Sequence, residues 1–336
     1  MKRIFITGAA GFIGFHLAIA ARRRGDFVVG LDLFNNYYSP ELKRTRQKLL
    51  LKEGIEVVEG DICNTPLLKQ LIQQQGITHV AHLAAQAGVR HSLTHPNDYV
   101  DANLQGFLSV LEACRSFPEI KLTYASSSSV YGLNKKIPFS VEDRTDEPTN
   151  LYGATKKANE MMAHAYHHLF GLPVTALRYF TVYGPWGRPD MAYYSFAQRI
   201  WEGKPIQLFN QGKMRRDFTY IDDIVKGTLA AIDLGAACEV FNLGNHRPVD
   251  LLYFVQVLEN SLEKKADLEF LPMQPGEVVE TFADIEKSQR LLNFQPSVTL
   301  EEGIPHFVEW FIKRNGARGE ENRSDQMLNN HTKSLL

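Results

Sequence analysis

The sequence predicts an α/β protein: a doubly wound parallel sheet with a smaller α/β substrate part toward the C-terminus. Two observations carry that expectation. Short apolar runs of strand type alternate with helical patterns over the first 180 residues, and the first run ends in a glycine-rich turn that opens a helix. Arg3 to Thr7 is that first strand. Gly8, Gly11 and Gly14 follow it, and a helical pattern covers 15–24, with Arg22, Arg23 and Arg24 in its last turn complementing the helix dipole. A second strand, 27–31, ends at Asp32. Next come a charged helix from Pro40 to Lys52, a strand at 55–58 leading to Gly60 and Asp61, a helix at 65–75 and a buried strand at 79–85. A long helix over 97–116 precedes a strand at 121–125, which delivers Ser126, Ser127, Ser128 and Ser129 at its carboxyl end. Open α/β sheets place their ligands at that end. A helix beginning at Tyr152 and a strand from Val174 to Tyr179 complete the alternation.

Beyond Thr181 the pattern loosens into a loop-rich stretch, 183–190, able to build a substrate pocket. The expected division is therefore 1–180 for the nucleotide part and 181–315 for the substrate part. A segment near 217–245 returns to the first part, because Val240 to Leu243 reads as a further sheet strand. Residues 316–336 are polar and patternless and read as a frayed tail.

Composition narrows the functional classes. Among 336 residues the formal net charge is −1, which leaves no basic footprint for nucleic acid, and 44% hydrophobic content is too high for a disordered chain. Cys63, Cys114 and Cys238 are scattered without CxxC spacing. They point to a reducing compartment and to no structural metal. No leader-like segment precedes the first strand and no apolar run approaches the length of a membrane span, so the expected address is the cytoplasm.

The glycine turn has the spacing GxxGxxG. Between a strand and a helix, such glycines let the backbone turn tightly, let a pyrophosphate approach the helix N-terminus and let helix and sheet pack closely. Asp32 stands where an acid meets a ribose 2′-hydroxyl and disfavours a 2′-phosphate, so the expected cofactor is NAD and the expected fold of the first part is of Rossmann type. The second constellation is Tyr152 with Lys156, Tyr152 standing 25 residues beyond Ser127 of the serine run. On a helix these two lie one turn apart, and an ammonium there favours the phenolate, which can then take a proton near neutrality. Tyr131 and Lys135 share the spacing but sit where a strand end runs into a loop, so the offset does not bring them together.

These pieces, namely Thr7 to Gly14, Gly60-Asp61, Leu83 to Ala85, the serines ahead of Val130-Tyr131-Gly132, and Tyr152 with Lys156, resemble extended short-chain dehydrogenases over about residues 1–315. More narrowly the chain resembles nucleotide-sugar 4-epimerases. The segments 87–92 and 179–192 are most similar to UDP-glucuronate 4-epimerases. That resemblance implies a UDP-sugar substrate, bound NAD and a homodimer built on the helices 97–116 and 152–170. It implies that Gly8, Gly11, Phe12, Ile13, Gly14, Asp32, Asp61, Ile62, Tyr152 and Lys156 hold the cofactor, and that Ser127 shares the sugar hydroxyl with Tyr152. For the sugar it implies Ser128, Ser129 and Thr181 on a carboxylate, Arg216 and Arg188 on the diphosphate and Glu277 on the uridine ribose. Arg90 faces either cofactor or sugar. Related decarboxylases carry a glutamate where this chain has Ser129, and dehydratases an Asp-Glu pair where it has Ser128 and Ser129. Both departures favour epimerisation. Another UDP-sugar enzyme, such as a decarboxylase or an epimerase of neutral sugars, and a non-catalytic nucleotide sensor on the same fold stay open at this point.

Overall fold

The structure is a computed structural model. It describes the backbone of residues 1–274, 276 and 278–333, and side chains as far as residue 316. Twelve strands form: β1 (Arg3–Thr7), β2 (Phe27–Asp32), β3 (Glu56–Glu59), β4 (His79–His82), β5 (Lys121–Ser127), β6 (Val174–Tyr179), β7 (Thr181–Tyr183), β8 (Ile206–Leu208), β9 (Arg215–Tyr220), β10 (Cys238–Leu243), β11 (Pro248–Asp250) and β12 (Leu268–Phe270). Seven of them make one sheet in the order β10-β6-β5-β4-β1-β2-β3, every neighbouring pair parallel. β10 does return to this sheet, beside β6. The order reverses at β1, which pairs with β2 on one side and β4 on the other, and that reversal opens a crevice at the carboxyl ends of the strands.

Alternation along each strand feeds two apolar layers. Ile4 and Ile6 of β1 pack with Leu17 and Ala18 of the helix Phe12–Arg23 and with Ile224 and Ala231 of the helix Ile221–Leu234. Phe5, between them, points to the other face and joins Leu68 and Leu71 of the helix Thr65–Gln74 and Phe107 and Leu111 of the helix Gly106–Cys114. The remaining strands build a mixed three-stranded sheet, β11-β9-β7, and a parallel pair, β12 with β8.

Three elements differ from expectation. β4 stops at His82, because the chain from Leu83 crosses the sheet end and Ala84 N is bound to the Thr7 hydroxyl at 3.3 Å. The helix expected over 97–116 is broken: a turn at Pro96–Tyr99 passes into a π-helix over Val100–Gln105 before α-helix resumes at Gly106. In the 316–336 segment helical backbone continues to Lys333 as part of the helix Leu300–Lys333, in keeping with good helix formers such as Ala317, Arg318, Glu320 and Glu321. Among the described residues no helix is long and apolar enough to cross a membrane.

Two histidines, His82 in β4 and His16 in the helix Phe12–Arg23, give the fold a defined acid response. His82 is buried with Nδ1 2.8 Å from the Thr7 hydroxyl, and burial, aided by the Lys156 charge, pushes its imidazolium down to about 3. Burial likewise takes His16 to about 4, partly countered by its contact with the Pro185 carbonyl. The unfolded chain binds protons at these residues below pH ~6.5 while the folded chain does not, so stability declines as pH falls from about 6.5 toward 4. For fully buried His82 the slope approaches ~1.4 kcal/mol per pH unit. Urea midpoints measured at pH 7, 6 and 5 should fall, and less steeply in His82→Gln. An equal slope in that variant would assign the loss to other groups.

Candidate active site

The glycine turn is shaped by contacts that admit no side chain. Gly8 has φ +70°, and a Cβ there would come within 2.7 Å of Ala84 N; at Gly14 it would lie 2.2 Å from the Gly8 carbonyl. The turn therefore packs against the end of β4, and the helix Phe12–Arg23 starts directly under it. Asp32, at the end of β2, is buried. Its carboxylate accepts from Ala10 N and Phe34 N, both at 3.0 Å, so it braces the turn as well as facing the crevice. Asp61, just beyond β3, accepts from Cys63 N at 2.8 Å, and Ile62 beside it is buried. Gly8, Gly14, Asp32, Asp61 and Ile62 line one cavity of about 1700 Å³, together with Gly11, Phe12 and Ile13. A glycine cradle that a Cβ would fill, on a helix N-terminus with an acid at the next strand end, fits a dinucleotide with a free ribose 2′-hydroxyl.

Across the crevice the serine run is divided by the fold. Ser126 and Ser127 end β5, while Ser128 and Ser129 turn away in a 3₁₀ segment, Ser128–Tyr131, fastened by Ser129 N donating to Ser127 Oγ at 3.2 Å. The helix Leu151–Phe170 begins at Asn150, whose side chain accepts from Gly153 N at 2.8 Å. This cap aims the first turn at the serines, since a Cβ on Gly153 would sit 2.6 Å from the Ser129 carbonyl. Tyr152 stands beside Ser127, whose hydroxyl favours the ionised form of the phenol, and Lys156, buried one turn on, donates from Nζ to the Ala125 carbonyl at 2.8 Å. Tyr131 and Lys135 are not such a pair: the Tyr131 hydroxyl donates to Asn242 Oδ1 at 2.7 Å and Lys135 is exposed.

The electrostatics differ from the expected ammonium effect. Burial raises the Tyr152 phenol above the ordinary tyrosine range, and what opposes burial is the Ser127 hydrogen bond and the Arg188 charge. Lys156 is itself weakened as an acid-stable cation, burial bringing it down to about 8. The spacing of four residues on a helix was visible in sequence, whereas the depth of the pocket that desolvates both groups was not.

The other expected site residues fall in two groups. Ser128, Ser129, Thr181, Arg90, Arg188 and Arg216 line the same cavity; Glu277 lies outside the described residues. Arg188 is paired with Asp190 at 3.1 and 2.7 Å, and Asp190 accepts from the Tyr37 hydroxyl at 3.1 Å. Burial disfavours the Asp190 carboxylate, but Arg188 outweighs it and holds this carboxyl below its usual range. Arg216 donates to the carbonyls of Val278 at 2.7 Å and Val279 at 2.9 Å, so it braces the loop that follows Gly276. The Arg90 guanidinium lies over the Phe209 ring, 4.6 Å from its centre.

Some residues of the site carried no motif. Asn103, inside the π-turn, binds Gln86 N and O at 2.8 and 3.0 Å and the Thr155 hydroxyl at 3.0 Å, while Asn159 donates to its main-chain carbonyl at 2.6 Å. A π-turn displaces a carbonyl from the helical ladder, and a side-chain donor on the next helix satisfies it. Behind the serines, Glu160 forms a buried bidentate pair with Arg178 at 2.8 and 2.9 Å and accepts from Ser126 Oγ at 2.7 Å. The only hint of it in the sequence was an acid one turn beyond Lys156.

The sequence profile described as the NAD dependent epimerase/dehydratase family matches residues 4–244. The chain belongs to that family. Among NAD dependent epimerases and dehydratases, it is 51% identical over 327 residues to UDP-glucuronate 4-epimerase 3 of Arabidopsis thaliana, a match covering 92% of this chain and 76% of that one. Of solved structures, it resembles the UDP-glucuronic acid 4-epimerase of Bacillus cereus in complex with UDP-glucuronic acid and NAD, with a TM-score of 0.87 and 38% identity over 93% of this chain and 99% of that one. UDP-glucose 4-epimerase of Thermotoga maritima is more distant in sequence, at 28% identity, with a TM-score of 0.85 over 93% and 99% of the two chains. The seven-stranded parallel sheet with helices on both faces is thus the architecture of NAD dependent epimerases.

Proposed function

We propose that this protein is a UDP-glucuronate 4-epimerase, converting UDP-glucuronate and UDP-galacturonate into one another. The observation that carries this is a group of four hydroxyls, Ser127, Ser128, Ser129 and Thr181, lining the same cavity as the Tyr152 phenol and Lys156. Half identity to plant UDP-glucuronate 4-epimerases across nine-tenths of the chain supports it. Tyr152 takes the proton of the sugar 4-hydroxyl, and Ser127, beside it, passes or shares that proton. Bound NAD would supply the acceptor for the C4 hydride and the source of its return to the opposite face of the sugar, while Tyr152 gives its proton back to the re-formed 4-hydroxyl. Gly8, Gly11, Gly14 and Asp32 hold the cofactor, Phe12, Ile13, Asp61 and Ile62 complete its cleft, and Lys156 orients its ribose.

A ketone at C4 stands β to the C6 carboxylate, which loses carbon dioxide when its bond to the ring aligns with the carbonyl π system. Hydroxyl donors from Ser128, Ser129 and Thr181 fix the carboxylate out of that alignment, and a carboxylate side chain in their place would repel it. Arg188 and Arg216 serve the diphosphate. The protein acts in the cytoplasm as a homodimer, its second copy covering the helix Leu151–Phe170, where Met161, Leu169 and Phe170 are 64%, 68% and 50% exposed.

Purified full-length protein incubated with UDP-glucuronate, without added NAD, should yield UDP-galacturonate and sediment as two chains. A UDP-pentose as main product would transfer the protein to the decarboxylases. No product even with NAD added would end the enzymatic assignment, and a single-chain particle would end the dimer.

A further inference from the structure

Arg46, in the helix Pro40–Lys52, is one of the most deeply buried residues of the chain, with no exposed surface. Its guanidinium reaches only neutral acceptors. It donates to the Ala10 carbonyl at 2.8 Å, the Tyr38 hydroxyl at 2.9 Å, the Gly187 carbonyl at 3.2 Å and the Trp186 carbonyl, and its Nε has no partner. Among the described residues no carboxylate forms an ion pair with it. A guanidinium cannot shed its proton at any ordinary pH, so it carries a full charge into the interior without a direct ion-pair partner, the buried Asp32 carboxylate lying on the far side of the Ala10 peptide, an arrangement that folding alone disfavours. Its field is felt nearby: besides the burial that dominates both, the Arg46 charge helps push His16 and Lys43 toward their neutral forms.

The acceptors belong to two segments that adjoin the cavity. Ala10 belongs to the glycine turn over the N-terminus of the helix Phe12–Arg23, where a bound anion would sit. Trp186 and Gly187 precede Arg188 in the loop that walls the same cavity. One buried cation thus fastens the nucleotide turn to the sugar-side loop.

We infer that Arg46 is a positioning residue: its charge is balanced by a diphosphate seated on the glycine turn, and its fork holds that turn against the loop bearing Arg188. This rests on the dinucleotide reading of the cavity. It goes further in making the cofactor's diphosphate the missing counter-ion of the fold, so that seating the cofactor and setting the sugar-side loop are coupled.

Full-length wild-type, Arg46→Gln, Arg46→Met and Arg46→Lys chains, freed of nucleotide, would be titrated calorimetrically with ADP, adenosine and UDP. A single long-range charge term at an effective dielectric of about 20 amounts to roughly tenfold in affinity. ADP should therefore bind ~10-fold more weakly to the two neutral variants, adenosine and UDP should be unaffected, and Arg46→Lys should restore the ADP-to-adenosine ratio. A purely structural brace would lower ADP and adenosine in parallel in all three variants. Weakened UDP with intact ADP would place the counter-ion on the sugar nucleotide instead. Either result overturns the inference, as does an unchanged ratio in the neutral variants. If the wild type itself binds neither ADP nor NAD, the dinucleotide reading falls and this inference with it.

Discussion

Tyr152→Phe should lower turnover of UDP-glucuronate by about 10³-fold or more while leaving fold and NAD content unchanged. In the proposed reaction Tyr152, as its phenolate, takes the proton of the sugar 4-hydroxyl with the Ser127 hydroxyl beside it. Its neighbours cannot replace it. Lys156 Nζ is committed to the Ala125 carbonyl, and His82, though basic in type, is buried behind the strand ends and stays neutral down to about pH 3. Phenylalanine keeps the ring and its edge contact with Tyr99, whose centre lies 6.2 Å away, so the pocket wall persists. The measurement is the rate of UDP-galacturonate formation alongside the NAD released on denaturation. Turnover within tenfold of the parent at equal NAD content would show that another group accepts the proton.

Arg178→Met should cost about 3–5 kcal/mol of stability, the largest effect expected from a residue outside the cavity floor. Arg178 and Glu160 are 3% and 6% exposed at their side chains and share two charge-assisted hydrogen bonds. Removing the cation leaves the Glu160 carboxylate buried with Ser126 Oγ and the 3.6 Å contact to Lys157 as its remaining partners. Arg178 also donates to the Tyr131 hydroxyl at 3.0 Å, which in turn holds Asn242 of β10, so one guanidinium joins β5, β6, β10 and the helix Leu151–Phe170. Glu160→Gln should be destabilising for the converse reason, and the double variant should recover part of the loss, because neither charge then remains unpaired. Urea unfolding of the four proteins reads this directly. Single variants within 1 kcal/mol of the parent would mean that water reaches the pair.

The elements that could be read from sequence are those whose cause is local. Strand and helix patterns repeat within a few residues, so β1, β6 and the helix Pro40–Lys52 follow from the order of apolar and polar side chains alone. The glycine turn and the pair Tyr152 and Lys156 are likewise local: three glycines between strand and helix, and two side chains one helical turn apart. That β10 returns to the main sheet was also visible, in an apolar run that the surrounding loops could not bury.

What needed the tertiary structure depends on partners far along the chain. The π-turn at Val100–Gln105 is stabilised by Asn159, 56 residues from the carbonyl it satisfies. Arg216 has the right type for a diphosphate contact, yet its guanidinium is engaged by carbonyls more than sixty residues downstream. Arg46 reads as one more charge on a polar helix until Ala10 and Gly187, from two other segments, close over it. The sequence by itself determined the sheet, the glycine turn and the placing of Tyr152 and Lys156 on one helix, because periodicity, turn chemistry and helical spacing act between neighbours. Only the tertiary structure decided which charges are buried, what pairs with them and which way the Tyr152 phenol is driven, because desolvation is set by everything that packs around a group rather than by the residues beside it.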